Sequence, residues 1–203
     1  MALFITFEGG EGSGKSYQSR ALFKRLNDLA IPVILTHEPG GTAAGEKIAK
    51  WLKWAHGAGI SPLTELLMFN ASRAQLVEEV IKPALKKDTV VICDRFTDST
   101  IAYQGYGRGL SLETVGAVNN TATQGLKPDL TILLDLPVEA GLARKSKGQQ
   151  DRFHLADIDF HKKVRHGYHE LASSEPGRWL AVDATLSREK IKEIIWERVQ
   201  KSL

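Results

Sequence analysis

The chain is short of cysteine, of long apolar runs and of net charge, and each shortage narrows what it can be. A single cysteine, Cys93, among 203 residues cannot close an internal disulfide or build a cysteine-rich metal site. Its apolar neighbours Val90, Val91 and Ile92 make it a core residue. No apolar run reaches the roughly 18 residues that span a bilayer, and residues 1–8 lack the basic start and cleavage pattern of a secretory signal. A reduced, cytoplasmic protein with no membrane partner is therefore expected. Lys plus Arg exceeds Asp plus Glu by 27 − 24 = 3, too little to argue for a nucleic-acid partner. What is present is ordinary for a packed domain: 42% hydrophobic and 25% charged residues, enough to build a core and to exclude wholesale disorder.

Short apolar runs alternate with longer amphipathic stretches. The runs at 3–7, 33–35, 90–93, 130–134 and 180–182 show no polar alternation, as strands covered on both faces require. Helical patterns cover 15–29, 43–54, 62–86, 112–124, 138–145, 157–171 and 188–201. Strand alternating with helix predicts one α/β domain over 1–203, with a parallel sheet and right-handed crossovers. The most loop-like interior stretch is 146–150, between two basic pieces.

Gly9-Gly10-Glu11-Gly12-Ser13-Gly14-Lys15-Ser16 fits G-x-x-x-x-G-K-[ST] between the first strand and the first helix. Glycines let backbone N–H groups turn inward around phosphate oxygens, and the helix beginning at Lys15 points its positive end at the same anion. In this pattern Lys15 reaches the β- and γ-phosphates, and the Ser16 hydroxyl binds Mg²⁺. The pattern therefore implies a nucleoside triphosphate with its metal. Two further absences sort P-loop proteins: the chain has neither N-K-x-D, which reads guanine, nor D-x-x-G, the usual GTPase switch segment. The third apolar run ends Asp94-Arg95 rather than Asp-Glu, so no water-activating carboxylate follows the metal-side aspartate. Transfer of a phosphoryl group to a bound acceptor is favoured over hydrolysis.

A phosphate monoester acceptor would need no general base, because its second pKa of about 6 leaves it anionic at pH 7. The task is then to hold two mutually repelling anions in line, which calls for cations. The sequence offers Lys15, Arg95 and the group Arg144, Lys145, Lys147 and Arg152.

Asp94-Arg95-Phe96-Thr97-Asp98-Ser99-Thr100-Ile101-Ala102-Tyr103-Gln104 is a specific string. Together with Phe7-Glu8-Gly9, Glu38-Pro39-Gly40-Gly41-Thr42 and the pair Phe69 and Arg73, it resembles the thymidylate kinase family of P-loop nucleoside monophosphate kinases. The resemblance runs from Leu3 to about Thr185. It implies a P-loop NTPase fold, a five-stranded parallel sheet flanked by helices on both faces, with a lid at about 143–153. It implies transfer of the γ-phosphate of ATP to dTMP, with Mg²⁺, in a homodimer. Position by position, it makes Asp94 a metal-side carboxylate and Arg95 the clamp on the acceptor phosphate, where a guanidinium fork matches the oxygens. Phe69 would stack on thymine, and Arg73 would bond its carbonyl edge. Thr100 and Gln104 would reach the base. Tyr103 would crowd the 2′ position, Pro39 would pack near the sugar and Glu11 would contact the 3′-hydroxyl. Gly12 stands where one subclass carries arginine, which assigns the chain to the bacterial type with a basic lid. Arg144 and Arg152, with Lys147, would then meet the transferring group. The loop at Asp183, Ala184 and Thr185 resembles the adenine contact.

Two departures from the family pattern stand out. His37 replaces the arginine of T-R-E-P-G-G, and Ala49 stands where the following helix commonly carries another. Both arginines lie toward the acceptor. Their loss leaves four readings: weaker acceptor binding, replacement by Lys47 or Lys50, a different pyrimidine monophosphate such as dUMP, or a nucleotide-binding module that has lost transfer. The lid also reads Asp151-Arg152-Phe153-His154 rather than D-R-x-E. Trp51 and Trp54 share a helix face and suit packing or a subunit contact. His161, His166 and His169 lack metal-ligand spacing. Phe160, Val164, Tyr168 and Leu171 have the spacing of a core stripe, as do Ile191, Ile194, Ile195 and Val199.

Overall fold

The apolar runs become five short strands: β1 (Phe4–Glu8), β2 (Val33–His37), β3 (Val90–Asp94), β4 (Leu130–Asp135) and β5 (Trp179–Asp183). The computed structural model describes residues 2–54, 59–145, 153 and 156–203. All strand pairings are parallel, in the order β2-β3-β1-β4-β5. The order places β1 at the centre, and the chain leaves it first toward β2 and β3 and later toward β4 and β5. That reversal opens a crevice at the carboxyl ends of the central strands. The register aligns Phe7 and His37 with Asp94, so three strand ends deliver Glu8, His37 and Asp94 to one edge.

The helices are α1 (Lys15–Asp28), α2 (Ala43–Trp54), α3 (Pro62–Leu76), α4 (Lys82–Leu85), α5 (Thr97–Thr100), α6 (Leu112–Thr123), α7 (Val138–Lys145), α8 (Ile158–Ser174) and α9 (Arg188–Val199). The sheet is covered on both faces. Leu22 and Leu26 of α1 and Ile191, Ile195 and Val199 of α9 pack with Ile5, Phe7 and Ile132. Elsewhere Phe160, Val164 and Tyr168 of α8 pack with Leu133 and Trp179. Cys93 is buried with Phe4, Val91 and Phe96. Among the described residues, no helix is long and apolar enough to cross a membrane.

Two helical stretches depart from the expected pattern. The run 62–86 is not one α-helix: a π-helical turn at Val77–Ile81 separates α3 from α4. Pro83 lacks an N–H and its ring crowds the carbonyl four residues back, which accounts for the widened turn just before it. The stretch after β3, with no helix expected, forms α5 and a π-helical turn at Ile101–Gly107. Its polar β-branched residues and glycines are poor helix formers, and packing overrides them. Gly107 lies so close to α8 that a Cβ would fall 2.6 Å from the Phe160 ring.

Capping separates the structural helices from the functional one. Side chains of Ser61, Ser111, Asp157 and Ser187 cap α3, α6, α8 and α9. The N-cap of α1 is Gly14, with no side-chain cap, which leaves the start of that helix to an outside acceptor.

One ion pair ties the sheet to the helical layer above it. Asp98, nearly fully buried, accepts from Arg178 Nη1 at 2.7 Å and Nη2 at 3.1 Å, and Thr131 on β4 shares Nη1 at 2.7 Å. Replacing Arg178 with Met strands the Asp98 carboxylate and is expected to lower unfolding free energy by roughly 3–5 kcal/mol. The Asp98→Asn/Arg178→Met double variant should recover part of the loss. Urea denaturation of the three proteins checks both outcomes.

Candidate active site

A large cleft of about 1090 Å³ lies along the carboxyl ends of β1, β2 and β3. Its floor is the turn from β1 into α1. Gly9, Gly12 and Gly14 have φ of 136°, 68° and 94°, a backbone that side chains rarely adopt. A Cβ at Gly9 would stand 2.4 Å from Leu134 O, and one at Gly12 would stand 2.2 Å from Gly141 O on α7. Position 12 therefore has no room for the arginine found there in the other subclass. Ser13 Oγ donates to Gly10 O at 2.9 Å. Lys15 folds its ammonium into the loop, donating to Gly9 O at 2.9 Å and Gly10 O at 2.7 Å. Burial lowers its pKa to about 8, and the nearby Arg95 adds to that, against the pull of Glu11, Asp94 and Glu8. Ser16 Oγ donates to Asp94 Oδ2. Hydroxyl and carboxylate make a hard, oxygen-only pair at the mouth of the loop, of the type Mg²⁺ accepts.

Arg95 follows β3 in a left-handed conformation, φ 74°. Its Nη1 donates to Gly9 O, Ser99 Oγ and Tyr168 OH at 3.1–3.2 Å. Nη2 reaches Glu11 Oε1 at 3.0 Å and Tyr103 OH at 3.2 Å. Burial opposes its charge, but Tyr103, Tyr168, Glu11 and Glu8 outweigh that and hold it cationic. Beneath it lies Glu8, fully buried. Glu8 accepts from Phe96 N at 2.8 Å, Ser99 Oγ at 2.5 Å and Tyr168 OH at 2.9 Å. Burial and then Asp98 raise its pKa to about 7, against Arg95 and the hydrogen bonds. Glu8, Ser99 and Tyr168 had no role in the sequence reading. Tyr168 carries only the signal of a core stripe, and its hydroxyl is visible as part of the site only once α8 is packed.

Farther along the cleft an aromatic wall forms. Phe69 lies 5.7 Å, ring to ring, from Phe153, which lies 6.2 Å from Tyr103. Pro39 is buried at the same end. Phe153, which the sequence offers only as the end of the lid, is a fourth site residue without an expected role. Gln104 Nε2 is held by Glu65 Oε1 at 2.6 Å, and Thr100 Oγ1 accepts from Arg73 at 2.8 Å. Arg73 differs from its expected part. It is 1% exposed, and every N–H meets a protein acceptor: Glu38 at 2.6–3.1 Å, Asn70, Asn119, Phe96 O and Thr100. The expected free donor to a base is thus a buried strut. It can serve a base only by exchanging one of these bonds. Burial raises the pKa of its partner Glu38, against the pull of Arg73.

Arg144, at the other end, donates to Ala184 O at 3.3 Å and reaches Gly12 O at 3.5 Å. It bridges the phosphate loop and the turn after β5. Lys147 and Arg152 lie outside the described residues. No cluster of three or more His, Cys, Asp or Glu suited to a metal occurs among the described residues. Trp51 and Trp54, 43% and 38% exposed, are not core residues.

Comparison with known proteins agrees with this geometry. The family model described as thymidylate kinase matches residues 7–195. A thymidylate kinase of Dehalococcoides mccartyi is 55% identical over 199 residues, covering 98% of this chain and 96% of the relative. One from Geotalea daltonii is 51% identical over 191 residues, covering 90% and 89%. The crystal structure of thymidylate kinase from Ehrlichia chaffeensis superposes with a TM-score of 0.78 at 33% identity, covering 100% of this chain and 99% of that one. With a phosphate loop and Arg95 meeting in one cleft of a five-stranded parallel P-loop fold, and with relatives matched over nearly their whole length, the chain belongs to the thymidylate kinase family.

Proposed function

We infer that the protein transfers the γ-phosphoryl group of ATP to dTMP, giving ADP and dTDP. One observation carries the reading furthest: Arg95, the candidate acceptor clamp, touches both Glu11 and Gly9 of the phosphate loop. An acceptor phosphate held by Arg95 therefore lies against a donor phosphate held by Lys15 and the α1 N-terminus. An oxygen of the dTMP phosphate attacks the γ-phosphorus, the bond to the β-bridging oxygen breaks, and ADP leaves with that electron pair. No side chain need take a proton in this step.

The aromatic wall supports a planar base. Phe69 would stack on it, and Gln104, its amide nitrogen held by Glu65, would offer its carbonyl oxygen to an N–H on the base edge. Thr100 would stand beside it, with Arg73 bracing the floor. Tyr103 and Pro39 would crowd the sugar, and Glu11 would exchange Arg95 for the 3′-hydroxyl. Ser16 and Asp94 would hold Mg²⁺, with phosphates and water completing its shell; when bound it would offset phosphate charge. Arg144, with Lys147 and Arg152, would meet charge on the transferring group, since backbone carbonyls hold it only weakly. The buried thiol of Cys93 suits a cytoplasmic setting. No observation favours dUMP or a module without transfer.

A panel of monophosphates with ATP tests the reading: dTMP should be phosphorylated fastest, and turnover of UMP or dCMP at the same rate would end it. Arg95→Ala should lower kcat/KM for dTMP by roughly 2–5 kcal/mol of transition-state free energy, by analogy with loss of a buried charge partner. Steady-state kinetics measure it. ATP affinity should depend on Lys15. With its pKa near 8, the ammonium is present below that pH and lost above it, so ATP binding should weaken as pH rises from 7 to 9.5. Calorimetry across that range is the check. A homodimer is proposed from exposed Trp51 and Trp54 on α2 and Leu63 and Leu67 on α3, with the two helices packed together. Leu67→Glu should halve the mass seen in sedimentation equilibrium.

A further inference from the structure

The acceptor end of the cleft has fewer available cations than its ligand demands. A monoester phosphate carries close to two negative charges at neutral pH, and Arg95 already shares its fork with Glu11. Two other nitrogen-bearing side chains on that wall, His37 and Arg73, are committed elsewhere. His37, at the end of β2, pairs through Nε2 with Glu46 Oε1 at 3.0 Å, and the same oxygen accepts from Gly41 N at 2.8 Å. Arg73 has no N–H to spare.

Lys53 is different. It lies in the last turn of α2 and lines the cleft, as do Leu35, Thr36, His37 and Pro39. It is half-buried, and its ammonium has no hydrogen bond or ion pair among the described residues. A lysine of this kind lays its stem on apolar surface and presents its charge at the rim. Ala49, four residues earlier and therefore on the same helix face, is buried and uncharged. Lys53 thus brings positive charge to a face where Ala49 offers none. Lys47 and Lys50, the replacements expected from sequence, are exposed and do not line the cleft. Arg20 also lines the cleft without a partner among the described residues, but it stands on α1 one turn beyond Ser16, on the donor side.

We propose that Lys53 is the second cation of the acceptor-phosphate site, closing on the dTMP phosphate from the α2 side while Arg95 holds it from β3. The proposal rests on the reading of the protein as a dTMP kinase. It gives this chain its own solution to the acidic acceptor: the charge comes from one turn farther along α2, and His37 serves the Gly40–Gly41 turn through Glu46 instead.

Calorimetry on the full chain separates the possibilities, using dTMP, thymidine and ATP as ligands and Lys53→Met, Lys53→Arg and Lys50→Met as variants. Loss of a charged hydrogen bond should weaken dTMP binding to Lys53→Met about tenfold or more. Thymidine, which lacks the phosphate, and ATP should bind that variant as they bind the wild type. Lys53→Arg should restore most of the dTMP affinity, and Lys50→Met should leave it unchanged. Equal loss for thymidine would mean a merely structural role, and loss for ATP alone would put Lys53 on the donor. Equal loss in Lys50→Met would mean diffuse charge rather than contact. Each of these, or unchanged dTMP affinity in Lys53→Met, overturns the assignment while leaving the kinase reading intact. Failure of the wild type itself to prefer dTMP over thymidine would overturn both.

Discussion

Charge taken out of water at the carboxyl ends of β1, β2 and β3 is the constraint on which the site depends. Glu8, Lys15, Glu38, Arg73 and Arg95 are all deeply buried or nearly so. Each is tolerated only because partners converge on it, for Lys15 from its own loop and for the others largely from distant parts of the chain. Glu8 is the pivot. One of its oxygens fixes Phe96 N, and the other receives the hydroxyl hydrogens of Ser99 and Tyr168. With those hydrogens committed, both hydroxyls turn lone pairs toward Arg95 Nη1. The carboxylate therefore aims the guanidinium without touching it. It also helps hold the left-handed turn at Arg95, a conformation that costs about 1–3 kcal/mol for a residue with a side chain.

The same arrangement gives the cations of the cleft oxygen partners within the protein itself. Carbonyl oxygens of Gly9 and Gly10 sit on the Lys15 ammonium, and the Glu11 carboxylate sits on Arg95. Phosphate oxygens would take these places. Phosphate binding would then exchange acceptors around cations already held in place, leaving little reorganisation for the reaction itself. Glu11, released from Arg95, is on hand for a sugar hydroxyl, which couples recognition of the sugar to occupation of the clamp.

Much of this was legible in the sequence. Unbroken apolar runs such as 90–93 can only be doubly covered strands, and Gly9 to Ser16 carries its own mechanism. Arg95 and Phe69 stand where the family string puts them, in the cleft. The illegible parts share one cause, that their meaning lies in packing. Residues 97–107 form a helical stretch against their own propensity because α8 presses on Gly107. Arg73 reads as a free donor until Glu38, Asn70 and Asn119 converge on it from three segments. Tyr168 has the spacing of a core aromatic and is one, and only its hydroxyl belongs to the site. Lys53 is one lysine among three on α2, and only the direction of the helix face tells it from Lys47 and Lys50.

The contact between the phosphate loop and α7 explains why charge for the transferring group has to come from outside the loop. Gly12 and Gly141 meet backbone to backbone, and a Cβ on either would fall 2.2 Å from a carbonyl oxygen of the other segment. An arginine at position 12 would force α7 away and with it Arg144, which reaches the carbonyls of Gly12 and Ala184. A side chain at position 12 and a helix pressed against the loop there are thus sterically exclusive. This chain has taken the second. Its glycine at position 12 is therefore what lets α7 lie against the phosphate loop and bring Arg144 within reach of Gly12 O.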